Sequence, residues 1–355
     1  MIALDNIRGS SRNKRQKGFS LLEMLVSIAI LLIVAGTVIM GMIRMTWSES
    51  TVMNRTQMHS SVRNATELMQ QEVGQAGKLG SQPGLQFTSA ITVPNGSDSV
   101  VANPTITTSA TTGNATDGLY LGENLVVDPN STSEETVTIS AITPSSNTIQ
   151  ATFWNSHAAN VPVMVLGGFS SGIVPPSTSS MYILNGNGTA NTTLTSTQAS
   201  SGSVLKIYGD LNGDGTMYYV TYKCDQTAGT LKRYVSTDVT SATTVTGTLL
   251  LDNLGQNPNN APCFTYQTKD AAVTLTSDKS VTETFVINVA VTLTVNTQNQ
   301  DMQTNATQSE TKALLNIAPR NVFEAWELAS SPSGYTRAQP MPSNVYSNLL
   351  SATLN

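Results

Sequence analysis

One carboxylate in the sequence sits where a charge is costly. Glu23 abuts Met24 to Ile43, twenty residues with no charge, interrupted only by Ser27, Gly36, Thr37 and Gly41. At 1.5 Å per residue a helix of that length covers ~30 Å, the hydrocarbon thickness of a bilayer. An acidic side chain at mid-membrane costs ~2.5–3.5 kcal/mol, so such a group normally marks a function with a partner. The chemistry expected of Glu23 is charge pairing, with a cation that its own apolar helix does not supply.

A second cluster is Asp210-Leu211-Asn212-Gly213-Asp214-Gly215, the opening half of a calcium-loop pattern. Oxygens of Asp210, Asn212 and Asp214 at alternate positions converge on a hard cation, Gly215 allows the sharp turn, and the Thr216 carbonyl is the next ligand. Position twelve of the pattern is Thr221, where a bidentate Glu is usual. Calcium is therefore a candidate ion and no cofactor is required. The alternative is a polar hairpin turn, for which Asn-Gly and Asp-Gly are strong signals.

Cys224 and Cys263 are the only cysteines. On the outer side of a membrane thiols oxidise, which predicts a disulfide; two buried free thiols are the alternative. Gly168-Phe169-Ser170-Ser171-Gly172 spells the nucleophile elbow of serine hydrolases. Pro175-Pro176 replaces the helix that must follow, and neither histidine, His59 or His157, lies downstream of Ser170, so no enzyme is predicted. His157 reads as a satisfied turn residue, since no second histidine or cysteine is near it in sequence.

The elements that carry these groups follow from charge and periodicity. The chain has 355 residues, only 12% of them charged, and a formal net charge of −5, which supplies no basic field for nucleic acid as a main partner. Arg8, Arg12, Lys14, Arg15 and Lys17 precede the apolar run with only Asp5 against them, so the leader should stay in the cytoplasm and the rest should lie outside. The apolar run is too long for a signal peptide, and Met42-Ile43-Arg44-Met45 is a poor cleavage site. Val62, Ala65, Leu68, Met69, Val73 and Ala76 continue a helical stripe, and Gly74, Gly77, Gly80 and Pro83 end it. One helix from Phe19 to Ala76 is predicted, with Gly36 and Gly41 its weakest points.

Lys17-Gly18-Phe19-Ser20-Leu21-Leu22-Glu23-Met24-Leu25 resembles the processing site of type IV prepilins and type II secretion pseudopilins. The resemblance implies cleavage after Gly18 by a prepilin peptidase and methylation of Phe19. It also implies pairing of the Glu23 carboxylate with the terminal amine of a neighbouring subunit. Physically, each charge is costly alone in lipid and much less so when matched. Tyr222-Lys223-Cys224-Asp225, a turn, then Leu231-Lys232-Arg233-Tyr234, with Pro319-Arg320-Asn321 closing the last strand, is similar to the sheet of PilW-type minor pilins and their J-type pseudopilin relatives.

Beyond Pro83 the helical period gives way to short β-branched runs separated by Gly, Pro, Asn and Ser. The expected class is α+β and pilin-like: a long N-terminal helix, transmembrane in its first half, on an antiparallel β-sheet head with an inserted small β module. The expected divisions are a cleaved leader at 1–18, a helix at 19–78 with residues 24–43 in the membrane, a β-rich insertion at 79–203, a sheet head at 204–330 and a polar tail at 331–355. Strands are predicted at Leu119–Val127, Thr136–Ile142, Thr148–Phe153 and Val161–Leu166, forming the module at about 117–168, and residues 167–203 as long surface loops with one short run, Met181–Leu184. In the head they are predicted at Val204–Tyr208, Thr216–Lys223, Thr230–Ser236, Thr284–Val295 and Lys312–Ile317.

Family resemblance implies a minor pilin priming assembly at or near a filament tip, since major pilins are typically much smaller than the 337 residues that remain after cleavage. The implied partners are other pilins, the prepilin peptidase and the inner membrane. A type II secretion pseudopilin is the runner-up, and a membrane-anchored surface adhesin is the alternative of another class.

Overall fold

The computed structural model describes residues 18, 20–109, 113–165, 167–177, 179–185, 188–237, 244–276, 279–302, 304–330, 338–342 and 344–354. Helix α1, Leu21–Gln75, runs unbroken through Gly36 and Gly41 for 55 residues, ~82 Å at the standard rise. From Leu21 to Met53 no residue is buried and nearly all are exposed, whereas Met58, Val62, Ala65, Met69 and Val73 are buried under the head. The apolar stripe thus begins to find a partner only about two-thirds of the way along the helix.

The small module comprises β1 (Val100–Ala102), β2 (Asn124–Val127), β3 (Glu135–Thr138), β4 (Ala141–Thr143), β5 (Thr148–Phe153) and β6 (Val163–Val165). They form two three-stranded antiparallel sheets, ordered β1-β5-β4 and β3-β2-β6. Leu125, Val127, Val137, Ile149 and Phe153 point inward from these sheets onto Phe87 and Ile106. Inward and outward residues alternate along β5, as a half-buried strand requires.

The head contains β7 (Val204–Gly209), β8 (Tyr218–Asp225), β9 (Thr230–Ser236) and β10 (Gly247–Leu251) in one antiparallel sheet. A second sheet is built on β13 (Lys279–Asn296), flanked by β11 (Leu254–Gly255) and β12 (Phe264–Thr276) on one edge and by β14 (Ser309–Ile317) on the other. The register between β12 and β13 shifts after Gln267, where Gln267 pairs with Asn288 and Thr268 with Val286. Ile287 is the extra residue, and a bulge of one residue exchanges the two faces of a strand. Val286 therefore joins the core under α1, as do Val289, Val291, Leu293 and Val295 beyond the bulge, while Phe285 and Ile287 join a second core.

That second core is completed by α2 (Arg320–Ala329), through Val322, Ala325 and Trp326. Sequence reading expected no helix here, because Pro319-Arg320-Asn321 was assigned to the end of a strand. The spacing of Val322, Ala325, Trp326 and Ala329 is helical, and Pro319 occupies the N-cap position that opens the helix.

Two expectations are corrected. Residues 167–203 are not all surface loops, since Phe169, Ser170, Ile173 and Val174 are fully buried. A Cβ on Gly172 would lie 2.2 Å from the Gly77 Cα, so only glycine lets this segment pass the end of α1. The described part of 331–355 is not a polar tail. Met341, Val345, Leu349 and Leu350 cover the face of the β7–β8 sheet that carries Tyr208 and Tyr219, opposite the face on α1. Ala338–Gln339 pairs in parallel with Gly168–Phe169, and Thr353–Leu354 with Thr244–Val245. Lys206 fixes this cover: its ammonium donates to the carbonyls of Thr197 (2.7 Å), Gln198 (3.0 Å) and Leu350 (2.6 Å), and burial lowers its pKa to about 8.

Candidate processing and assembly site

Gly18 is exposed, and a Cβ there would meet nothing within 4 Å. Phe19 lies outside the described residues. Ser20 has extended backbone and opens α1, and the Glu23 carboxylate accepts from the Ser20 backbone N–H at 3.2 Å. This is one arm of a capping box. It meets one of the donors left over at a helix start and places the negative charge at the positive end of the helix dipole. Glu23 is exposed. One long capping bond leaves most of its acceptor capacity free for a cation.

The exposed stretch beyond it is Leu25, Ile28, Leu31, Leu32, Val38 and Met42 among others, all more than 45% exposed. Exposure on every side distinguishes it from a core helix, which keeps a polar side for water. α1 is the one described helix long and apolar enough to cross a membrane.

The other end of α1 is locked to the head. Glu72 lies on the apolar stripe with Met69 and Val73 and is 7% exposed. Its carboxylate accepts from both Nε (3.2 Å) and a terminal nitrogen of Arg233 on β9, and from the Tyr222 hydroxyl on β8. Burial first, then the Glu72 charge, pushes the Tyr222 hydroxyl far above its usual range, so it remains a donor. A buried carboxylate with a forked cation and a phenol is fully matched, as a buried charge must be. Sequence reading missed this trio. The signal was a Glu at a core position of the stripe, three residues after Met69 and one before Val73.

After Gln75 the chain becomes an added edge of the sheet: Gly77 N–H donates to the Tyr208 carbonyl at 2.9 Å, and Asp210 N–H to the Lys78 carbonyl at 2.8 Å. Asp210 thus starts its loop beside the helix end. Its Oδ1 accepts from the amides of Gly213 (2.8 Å) and Asp214 (3.1 Å), and its Oδ2 from Gly215 (3.3 Å) and the Lys78 ammonium (3.3 Å). Asp214 accepts from the Thr216 amide at 2.8 Å and the Tyr218 hydroxyl at 2.9 Å. Asn212 is exposed on the same loop. Among the described residues no group of three or more His, Cys, Asp or Glu side chains is arranged to hold a metal ion.

Cys224 at the end of β8 is joined to Cys263 just before β12, Cα to Cα 6.5 Å, across a separation of 39 residues. Closing a loop of that length stabilises a fold by about 4 kcal/mol on the chain-entropy account. The bond ties the first sheet to the second. His157 is buried, with Nε2 2.6 Å from Glu135 Oε1, and Glu135 also accepts from the amides of Trp154 and Asn155. Its place is in the wall of the module. Ser170 is fully buried and donates to Glu283 at 2.5 Å.

Residues 13–39 match the model of the prokaryotic N-terminal methylation motif. No curated protein and no solved structure matches the chain. The matched residues hold Gly18, Glu23 and the exposed apolar start of α1, and together with a long helix under antiparallel sheets they support a type IV pilin-like protein.

Proposed function

We propose that the chain is a minor pilin, made as a single-pass precursor in the cytoplasmic membrane with its leader inside and its head outside. A prepilin peptidase cuts after Gly18 and methylates Phe19, and the subunit then enters a type IV pilus at or near the tip, where it primes assembly. The observation that carries this reading is Glu23, a carboxylate beside the exposed apolar start of α1 within the methylation motif. A bulky head of two sheets plus a module favours a rare subunit over a repeating one. Its partners are other pilins, packed against the first half of α1.

Glu23 has two roles to separate, the cap it makes with Ser20 and the charge it offers a neighbour. Glu23→Gln retains an acceptor suited to a capping box and loses the charge. The expected result is a folded, processed subunit absent from sheared filaments. Normal incorporation of the Gln variant would reduce Glu23 to a helix cap. The same shear fraction bears on the alternatives: a secretion pseudopilin would be missing from surface fibres, and an anchored adhesin would retain residues 1–18.

Calcium is proposed at the Asp210 loop on the ligand set Asp210, Asn212, Asp214 and the Thr216 carbonyl, with Lys78 as the cation it displaces. Sites of this kind in extracellular modules bind at 10⁻⁴–10⁻³ M. At several times such a dissociation constant, linkage adds about 1 kcal/mol of stability. Millimolar calcium is expected to raise the Tm of the head by roughly 2 °C over a chelator-treated sample. Equal Tm values would leave the loop a turn closed by Lys78.

A further inference from the structure

Past the helix end, where module and head meet, lies an open cleft of about 420 Å³. That is within the range of small-ligand sites. Its described walls come from six separate stretches: Gln82 after α1, Asp117 to Tyr120 entering the module, Tyr208 on β7, Gly215 to Met217 of the acidic loop, Thr237 after β9, and Pro342 with Asn344 of the C-terminal cover. Glycine backbones hold the walls together. A Cβ on Gly118, whose φ is +86°, would come 2.6 Å from the Gly80 carbonyl and 3.0 Å from that of Gly215.

We infer that this cleft is a binding site for an uncharged saccharide. Tyr208 is 4% exposed, lines the cleft, and its hydroxyl has no hydrogen-bond partner among the described residues. It is not one of the sealed, unpaired polar atoms of the core, so it is open to hydrogen-bond a ligand or water. The half-buried Gln82 amide, also without a partner among the described residues, faces the same space, and Asp117 adds a carboxylate that, among the described residues, accepts the Asn114 amide at 2.7 Å. Leu119, Tyr120 and Met217 supply an apolar wall. Hydroxyl, amide and carboxylate beside aromatic and aliphatic surface suit the alternating hydroxyls and C–H faces of a sugar ring. No Lys, Arg or His lines the cleft among the described residues, which disfavours phosphate, sialic acid and nucleic acid. Glu123 behind Tyr120 is fully buried, and burial pushes its carboxyl well above the usual range, so it adds no fixed charge.

The inference rests on the pilin reading only for where the cleft faces: it lies at the end of α1 opposite Glu23, the outward end of a tip subunit. The test uses the full-length mature protein in detergent on an array of neutral oligosaccharides with glucose, galactose and N-acetylhexosamine termini, alongside sialylated and phosphorylated glycans. Retention of a neutral glycan is expected, weakened ~3- to 10-fold in Tyr208→Phe and in Gln82→Ala, each the loss of one hydrogen bond, with Tm unchanged. No retention of any neutral glycan, equal retention by both variants, or retention of anionic glycans alone would overturn it. Binding is read on the isolated chain, so its failure leaves the filament reading intact, and recovery of the mature subunit only outside sheared filaments would overturn that reading without touching this one.

Discussion

Glu72→Ala is expected to destabilise the head by about 3 kcal/mol, the lower part of the range for removing one partner of a buried ion pair. The substitution strands two groups at once. Arg233, whose side chain is 24% exposed, loses its only ion-pair partner among the described residues, and the Tyr222 hydroxyl, at 0% exposure, loses its acceptor. For a domain of this size that stability change lowers Tm by roughly 6–12 °C. Glu72→Gln should fall between, since an amide oxygen still accepts while the charge is gone. Replacing Glu72, Tyr222 and Arg233 together by Met, Phe and Met should come close to wild-type stability, because matched apolar groups can substitute for a buried pair. A Tm within 2 °C of wild type for Glu72→Ala would mean that hydrophobic packing alone holds α1 to the sheet.

What could be read in the sequence depended on how local each signal was. Helix α1 is legible because its stripe and its stop signals lie within one stretch, and its observed ends fall within two residues of the expected ones. Strands β5 and β9 coincide with the predicted Thr148–Phe153 and Thr230–Ser236, where β-branched and aromatic residues run between turn signals. Strand β12 was missed because Thr265 and Gln267 to Asp270 are exposed and polar, so hydrophobic alternation is absent where the strand pairs only along its edges. The C-terminal cover was hidden by composition: Met341, Val345 and Leu349 recur every four residues among Ser, Asn and Pro, and their burial requires the outer face of a sheet more than a hundred residues earlier.

The same distinction divides the sites. Gly18 and Glu23 are five residues apart and readable as a unit. Glu72 meets Tyr222 and Arg233 across 150 and 161 residues, and the cleft draws on Gln82, Asp117, Tyr208 and Asn344, so neither could be assembled before the fold was in hand.

The largest single change expected in this protein is chemical. The proposed cleavage after Gly18 would remove residues 1–18, and with them five of the 18 basic residues and one of the 23 acidic ones, leaving 13 and 22, a formal −9 in place of −5. It would also convert an interior amide into a terminal amine at the mouth of the apolar helix. On the proposed reading that amine is the cation that Glu23 of a neighbouring subunit lacks, which would make processing and assembly two stages of one charge-matching event. A bulky substitution at Gly18 should leave the leader attached and the amine unmade, and such a precursor should stay in the membrane fraction. Intact-mass and N-terminal fragment spectra of the subunit recovered from sheared native filaments read this directly. The expected species begins at Phe19 and carries one added methyl group; a species that begins at Met1, or one cut elsewhere along the apolar run, would contradict it.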